Sequence, residues 1–183
     1  MHMSGLFASS LVMLLIAAVA YFVSLATTSW STSGKELAFG IWNFCFFSLM
    51  EGEKRLKCLP NKADFSMAAQ AFSILAVMCY AVAFLLYLAY ILFPSLSKSR
   101  PITMGLCLLS FCVVCLQIMT MIVYGVKVGE YFRKVELRHF NHHLDSLSIS
   151  WSFAFAIVST LVGTAAGVCT FIELRNITIE DLL

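Results

Sequence analysis

Gly40-Ile41-Trp42-Asn43-Phe44-Cys45, answered by Cys58, is the stretch whose reading decides the fold. It sits in the one long polar interval between apolar segments, and it holds two of the seven cysteines. Residue pairs whose numbers add to 103 share one register: Met50 with Glu53, Leu49 with Lys54, Phe47 with Leu56, Cys45 with Cys58. The centre falls between Glu51 and Gly52. That register predicts an antiparallel hairpin with a two-residue turn, in which Gly52 takes φ > 0 at no steric cost. Cys45 and Cys58 then face each other. Opposed residues lie about 4.5–5.5 Å apart, which a disulfide spans. The alternative is two free thiols in a reduced loop.

Outward from this stretch the chain is apolar. Of 183 residues 61% are hydrophobic and only 12% charged, the balance of an integral membrane protein. The charges cluster and leave four long uncharged windows, Met1–Gly34, Phe65–Ser97, Pro101–Val126 and Ser146–Ile172. About 20 apolar residues in a helix cross a hydrocarbon core of about 30 Å. Each window is long enough once and none is long enough twice. Four spans are predicted, near Leu6–Thr27, Met67–Phe93, Ile102–Gly125 and Ile149–Ile172. Ala18-Val19-Ala20 resembles a signal-peptide cleavage site, but the apolar run continues past it and no charged segment precedes it.

The first loop, 28–66, begins with the β-prone Thr27-Thr28-Ser29-Trp30-Ser31-Thr32, and Ser33-Gly34 marks a turn. Glu36–Leu49 reads as one long strand and Lys54–Leu59 as its partner. Trp42, Phe44 and Phe46 fall on one face of that strand, and Cys45, Phe47 and Leu49 on the other. A loop this apolar must rest on the membrane, on the second loop or on a partner. Trp42, Phe44 and Phe46 either pack onto the helix ends or reach a partner. Phe46, nearer the hairpin tip, is expected to be the more available, with Trp42 holding the fold.

In span two, Tyr80, Phe84, Tyr87 and Ile91 recur at helical spacing, a stripe that suits bundle packing, and Gln70 lies near the outer end. Span three carries Cys107, Cys112, Cys115 and Gln117. In the second loop, 126–148, Tyr131–Arg138 fits an added edge strand or a continuation of the third helix, and the pattern does not decide between them. His139, His142 and His143 read as a solvated cluster, because Asp145 alone stands near them as a further ligand. Ser150-Trp151-Ser152 opens span four with an aromatic at interfacial depth. Gly163 and Gly167 form a GxxxG pattern, which permits close backbone approach inside the bundle or against a second copy.

Trp30, then Gly40-Ile41-Trp42-Asn43-Phe44-Cys45, then Cys58 resembles the first extracellular loop of the claudin, peripheral myelin protein, epithelial membrane protein and lens fibre membrane intrinsic protein superfamily, which includes the calcium-channel gamma subunits. Its motif is Trp, then Gly-Leu-Trp-x-x-Cys, then Cys, with Ile41 here in place of Leu. The resemblance covers nearly the whole chain. It implies an all-α membrane fold, a four-transmembrane-helix bundle with a small extracellular antiparallel β-sheet built mainly from the first loop. It also implies a plasma-membrane protein with both termini cytoplasmic. Ser150-Trp151-Ser152 resembles the epithelial membrane and lens proteins, and Gln70 the myelin and epithelial membrane proteins. The tail ends Glu180-Asp181-Leu182-Leu183, without the usual claudin Tyr-Val ending, although Leu183 offers a terminal carboxylate to a PDZ groove.

No predicted span contains Asp, Glu, Lys, Arg or His, which disfavours a proton relay, pump or charged transport site. No phosphate loop, nucleophile–base pair, zinc motif or other cofactor site is legible, and the net charge of +2 suggests no nucleic-acid role. A non-enzymatic protein is expected, acting through its outer loops in cell–cell contact, junction formation or membrane organisation. Its expected partners are the bilayer and other membrane proteins, associated laterally as homo- or hetero-oligomers. An auxiliary, gamma-like subunit of a channel or receptor is the alternative. A remoter one is a membrane thiol oxidoreductase using Cys112 and Cys115, a CxxC layout that resembles the vitamin K epoxide reductases. The charge distribution opposes the expected orientation. Of twelve Lys and Arg, five fall in the first outer loop and four in the second, against the positive-inside tendency. The disulfide decides for an oxidising side.

Replacing Cys45 or Cys58 is expected to destabilise the protein by about 2–5 kcal/mol and to hold it back before the cell surface. Surface quantification of Cys45→Ser and Cys58→Ser, with thiol mapping of the non-reduced wild type, checks both parts. Free thiols at both positions in surface protein would refute the pairing.

Overall fold

The computed structural model describes residues 5–34, 37–50, 53–93, 99–139 and 147–180, with side chains at all of these except 47–50, 53–55, 134–139 and 180. The predicted hairpin turn at Glu51–Gly52, Lys98 of the basic connector, His142, His143 and Leu183 lie outside the described residues.

Four helices are long and apolar enough to cross a membrane: α1 (Gly5–Ala26), α2 (Asp64–Leu92), α3 (Arg100–His139) and α4 (Trp151–Glu180). Their outward faces are apolar, with Val19, Leu85, Leu108 and Leu161 each at least 60% exposed. Water would penalise such faces, whereas lipid tails match them. The chain is therefore a multi-pass membrane protein.

Between α1 and α2 lie β1 (Ser31–Ser33), β2 (Leu37–Phe39), β3 (Asn43–Met50) and β4 (Glu53–Pro60), and β5 (Ser148–Ile149) precedes α4. They form one antiparallel sheet in the order β4-β3-β2-β1-β5. The hairpin register is the predicted one along its whole length, from Met50 opposite Glu53 to Cys45 opposite Cys58. Cys45 and Cys58 are disulfide-bonded.

Two elements differ from the sequence reading. Glu36–Leu49 is not one strand. The chain breaks at Gly40–Trp42, and β2 turns back to pair with β3, Phe39 opposite Phe44. The break is held by a short tie in which the Gly40 amide donates to the Asn43 carbonyl at 2.9 Å. The second difference is at Tyr131–Arg138, which continues α3 as helix. Phe132 is buried beside Leu37 and Phe39, so the helical option places an aromatic in a core. A predicted outer loop from 126 is thus mostly helix up to His139.

Contacts group the chain into two compact units. One comprises Met1–Ala20, Ile74–Gln117 and Val158–Leu183. It carries polar side chains at membrane depth, and they bond to one another. Gln117 donates to Ser159 Oγ at 2.9 Å and to Tyr80 Oη at 3.2 Å, and its carbonyl accepts from Thr160. Ser159 in turn donates to the Ala17 carbonyl at 2.7 Å. A second cluster joins Ser10, Tyr87 and Thr170. Tyr80 and Tyr87 of the aromatic stripe are buried here as bundle contacts. Gly163 faces Val114, Ala17 and Tyr80, and Gly167 faces Ser110 and Phe111. The GxxxG pattern therefore serves packing within the chain.

Candidate functional site

The other unit, Tyr21–Ser73 with Ile118–Ile157, holds the sheet and the whole loop motif. Trp30 is fully buried. Its indole Nε1–H donates to the Ser24 carbonyl at 2.8 Å, satisfying a carbonyl in the last turn of α1 that the helix leaves unpaired. Its ring meets Tyr124 and Phe153 edge-on, at 5.0 and 5.5 Å between centroids. Tyr124 Oη donates to the Phe39 carbonyl at 2.9 Å. The Trp30 carbonyl accepts from the Ser150 amide, and Ser152 bonds to the Ser29 carbonyl and to Thr27 Oγ1. The Ser-Trp-Ser opening of α4 is thereby tied to the end of α1.

The Gly40–Trp42 break is equally constrained. A Cβ on Gly40 would stand 2.8 Å from Thr28 Cα and 3.1 Å from the Asn43 carbonyl oxygen, both backbone atoms that cannot step aside. Only glycine permits this approach. Ile41 is fully buried, and its carbonyl accepts from Ser66 Oγ at 2.5 Å and from Gln70 Nε2 at 2.9 Å. Asn61 closes the arrangement, its amide donating to the Trp42 carbonyl and its side chain to the Gly40 carbonyl. Gln70, a lone polar residue in the sequence, is a backbone clamp. Asn61 carried no signal in the sequence beyond its place in a turn-like Pro-Asn-Lys.

These contacts exchange the expected exposures of two aromatics. Trp42 is 37% exposed, while Phe44 and Phe46 are half-buried. Phe39, Phe44 and Phe46 form a stacked row, with centroids 5.8 and 6.0 Å apart. That row packs on Leu37 and Phe132, with Tyr131 and Leu147 at its margin. The registers Phe39–Phe44, Phe44–Leu59 and Leu37–Phe46 put these residues on one sheet face, which α3 covers at its β2 end. Towards the edge strand β4 the cover of this face runs out at Leu59, which is 37% exposed, while Leu56, opposite Phe47, is 59% exposed on the other face. Among the described side chains, Trp42, Leu56 and Leu59 are exposed apolar residues of the hairpin and its approach.

Cys112 and Cys115, on α3, are both exposed and form no disulfide. Cys112 lies near Cys79 on α2. The described residues hold no group of three or more His, Cys, Asp or Glu that could bind a metal ion.

Gly40→Ala is expected to destabilise the sheet unit by about 1–3 kcal/mol, the usual cost of overpacking, and to lower surface abundance. Thermal unfolding of the purified variant beside the wild type measures it. An unchanged melting temperature would show that the Thr28 backbone yields. A scan against family models and a search of curated proteins both return no match for this chain.

Proposed function

We propose that the chain is a non-enzymatic plasma-membrane protein of the claudin-like kind. In this reading the sheet is extracellular, both termini are cytoplasmic, and the sheet makes contacts at cell–cell junctions or with neighbouring membrane proteins. The observation that carries the proposal is the uncovered apolar margin of the disulfide-locked hairpin, Trp42, Leu56 and Leu59. A sheet held by a disulfide, by the Trp30 pin and by the Gly40 clamp is a rigid platform. A rigid platform loses little entropy on binding, and exposed aromatic and aliphatic anchors supply binding energy at its surface. Edge strand β4 carries Lys57 and ends in Pro60, both of which discourage unspecific strand addition. Association through side chains is the mode this edge favours.

Two expected outcomes test this reading. A tag on the C-terminus is expected to stay hidden from antibody until cells are permeabilised, and staining of intact cells would refute the orientation. Trp42→Ser with Leu59→Ser is expected to keep surface abundance while weakening association by about 2 kcal/mol or more. Phe46→Ser, which removes a ring from the stacked row, is expected to lower surface abundance instead. Cell-clustering assays and proximity labelling on intact cells read both effects, and also separate a partner on the facing cell from one in the same membrane. Undiminished association by the double variant at equal surface level would remove the hairpin margin as the contact.

A further inference from the structure

An open groove of about 840 Å³ lies between the start of α2 and the middle of α3. Its lining changes character along its length. Ile122, Val123 and Val126 supply an apolar floor, while Lys62, Asp64, Lys127 and Glu130 supply the rim. Phe65 and Tyr131 stand between, their rings 5.4 Å apart and edge-to-face.

The groove lies where the chain passes from membrane to water. The uncharged window that makes α2 apolar starts at Phe65, immediately after Lys62 and Asp64. The window that makes α3 apolar ends at Val126, immediately before Lys127. Both boundaries meet in this one groove. Val126 is 65% exposed and Ile122 54%, on a helix long and apolar enough to span the bilayer, so acyl chain is what touches them. Whatever fills the groove therefore has a hydrocarbon part below and a polar part above.

The rim specifies the polar part. Two lysines and two carboxylates cancel in charge, and all four are exposed and free to reorient. Lys127 and Glu130 stand 3.2 Å apart, an exposed pair of low net strength that a ligand can open. A head group bearing a phosphate and a cation satisfies both signs at once. An anionic head group would satisfy the lysines and leave two carboxylates facing it. The adjacent aromatic pair favours a quaternary ammonium, which binds against ring faces. The volume falls in the range of small-molecule sites.

We propose that this groove seats one phosphatidylcholine molecule of the surrounding membrane. Its phosphate lies at Lys62 and Lys127, its choline at Phe65, Tyr131 and the carboxylates, and an acyl chain along Ile122 and Val126. The proposal does not depend on what the sheet binds.

The test is native mass spectrometry of the full chain in neutral detergent, titrated separately with palmitoyl-oleoyl phosphatidylcholine, phosphatidylglycerol of the same chains, and cholesterol. One phosphatidylcholine per chain is expected to be retained, about three- to fivefold better than phosphatidylglycerol, the scale of exposed charge contacts. Lys62→Ala with Lys127→Ala is expected to lower that retention. Asp64→Asn with Glu130→Gln, which leaves the rim net positive, is expected to turn the preference towards phosphatidylglycerol. Val126→Trp, which fills the floor from an exposed position, is expected to abolish retention. Equal retention of the two phospholipids, a preference that the carboxylate variant does not move, displacement of phosphatidylcholine by cholesterol, or no retained lipid at all would each overturn the proposal.

Discussion

The Trp30 indole is the fixed point of the sheet-bearing unit. The side chain and amide of Trp30 join four parts of the chain: the end of α1 through Ser24, α3 through Tyr124, α4 through Phe153, and the sheet through the amide, which donates to the Phe39 carbonyl. The indole N–H is buried and would be costly to leave unpaired, and it finds its acceptor in a helix-terminal carbonyl that Thr27 Oγ1 also bonds. Tyr124 repeats the device by giving its hydroxyl to Phe39. Aromatic bodies fill the space while their polar tips fix the register. The sheet is small, and β1 and β2 have three residues each. Strands this short do not hold by pairing alone, so the anchoring aromatics determine where they form.

The loop motif divides into parts with separate physical duties. Trp30 pins the sheet, Gly40 lets two backbones touch, and Cys45 with Cys58 locks the hairpin. Trp42 has none of these duties. Its main chain is bonded to Asn61 while its side chain stays uncovered.

Much of the architecture was legible in the residues because the relevant signals are local. Uncharged windows gave the four apolar helices, with ends within a few residues except at the C-terminal ends of α3 and α4, which run on to His139 and Glu180. Period-two pairing gave the hairpin, since register is a matter of counting along two adjoining segments. What was not legible depended on contacts distant in sequence. Gly40 reads as one more residue of an apolar strand, and its proximity to Thr28 is what breaks it. Tyr131–Arg138 suits strand or helix equally, and burial of Phe132 on Leu37 and Phe39 selects the helix. Phe46 and Trp42 share a strand face by alternation, but the turn at Gly40–Trp42 takes Trp42 off that strand, so alternation misassigns their exposure.

The Gln117 cluster has a consequence for how the protein is made. Its carboxamide sits on α3, with Tyr80 on α2 as an earlier partner, but Ser159 and Thr160 belong to α4. Synthesis runs from the N-terminus, so α3 reaches the bilayer before α4 exists. In that interval part of an amide has no partner in a medium where unpaired polar groups cost several kcal/mol. Arrival of the fourth helix removes that cost, and Ser159 at the same moment engages the Ala17 carbonyl of the first. The amide of Gln117 is thus fully paired only once the last span is seated.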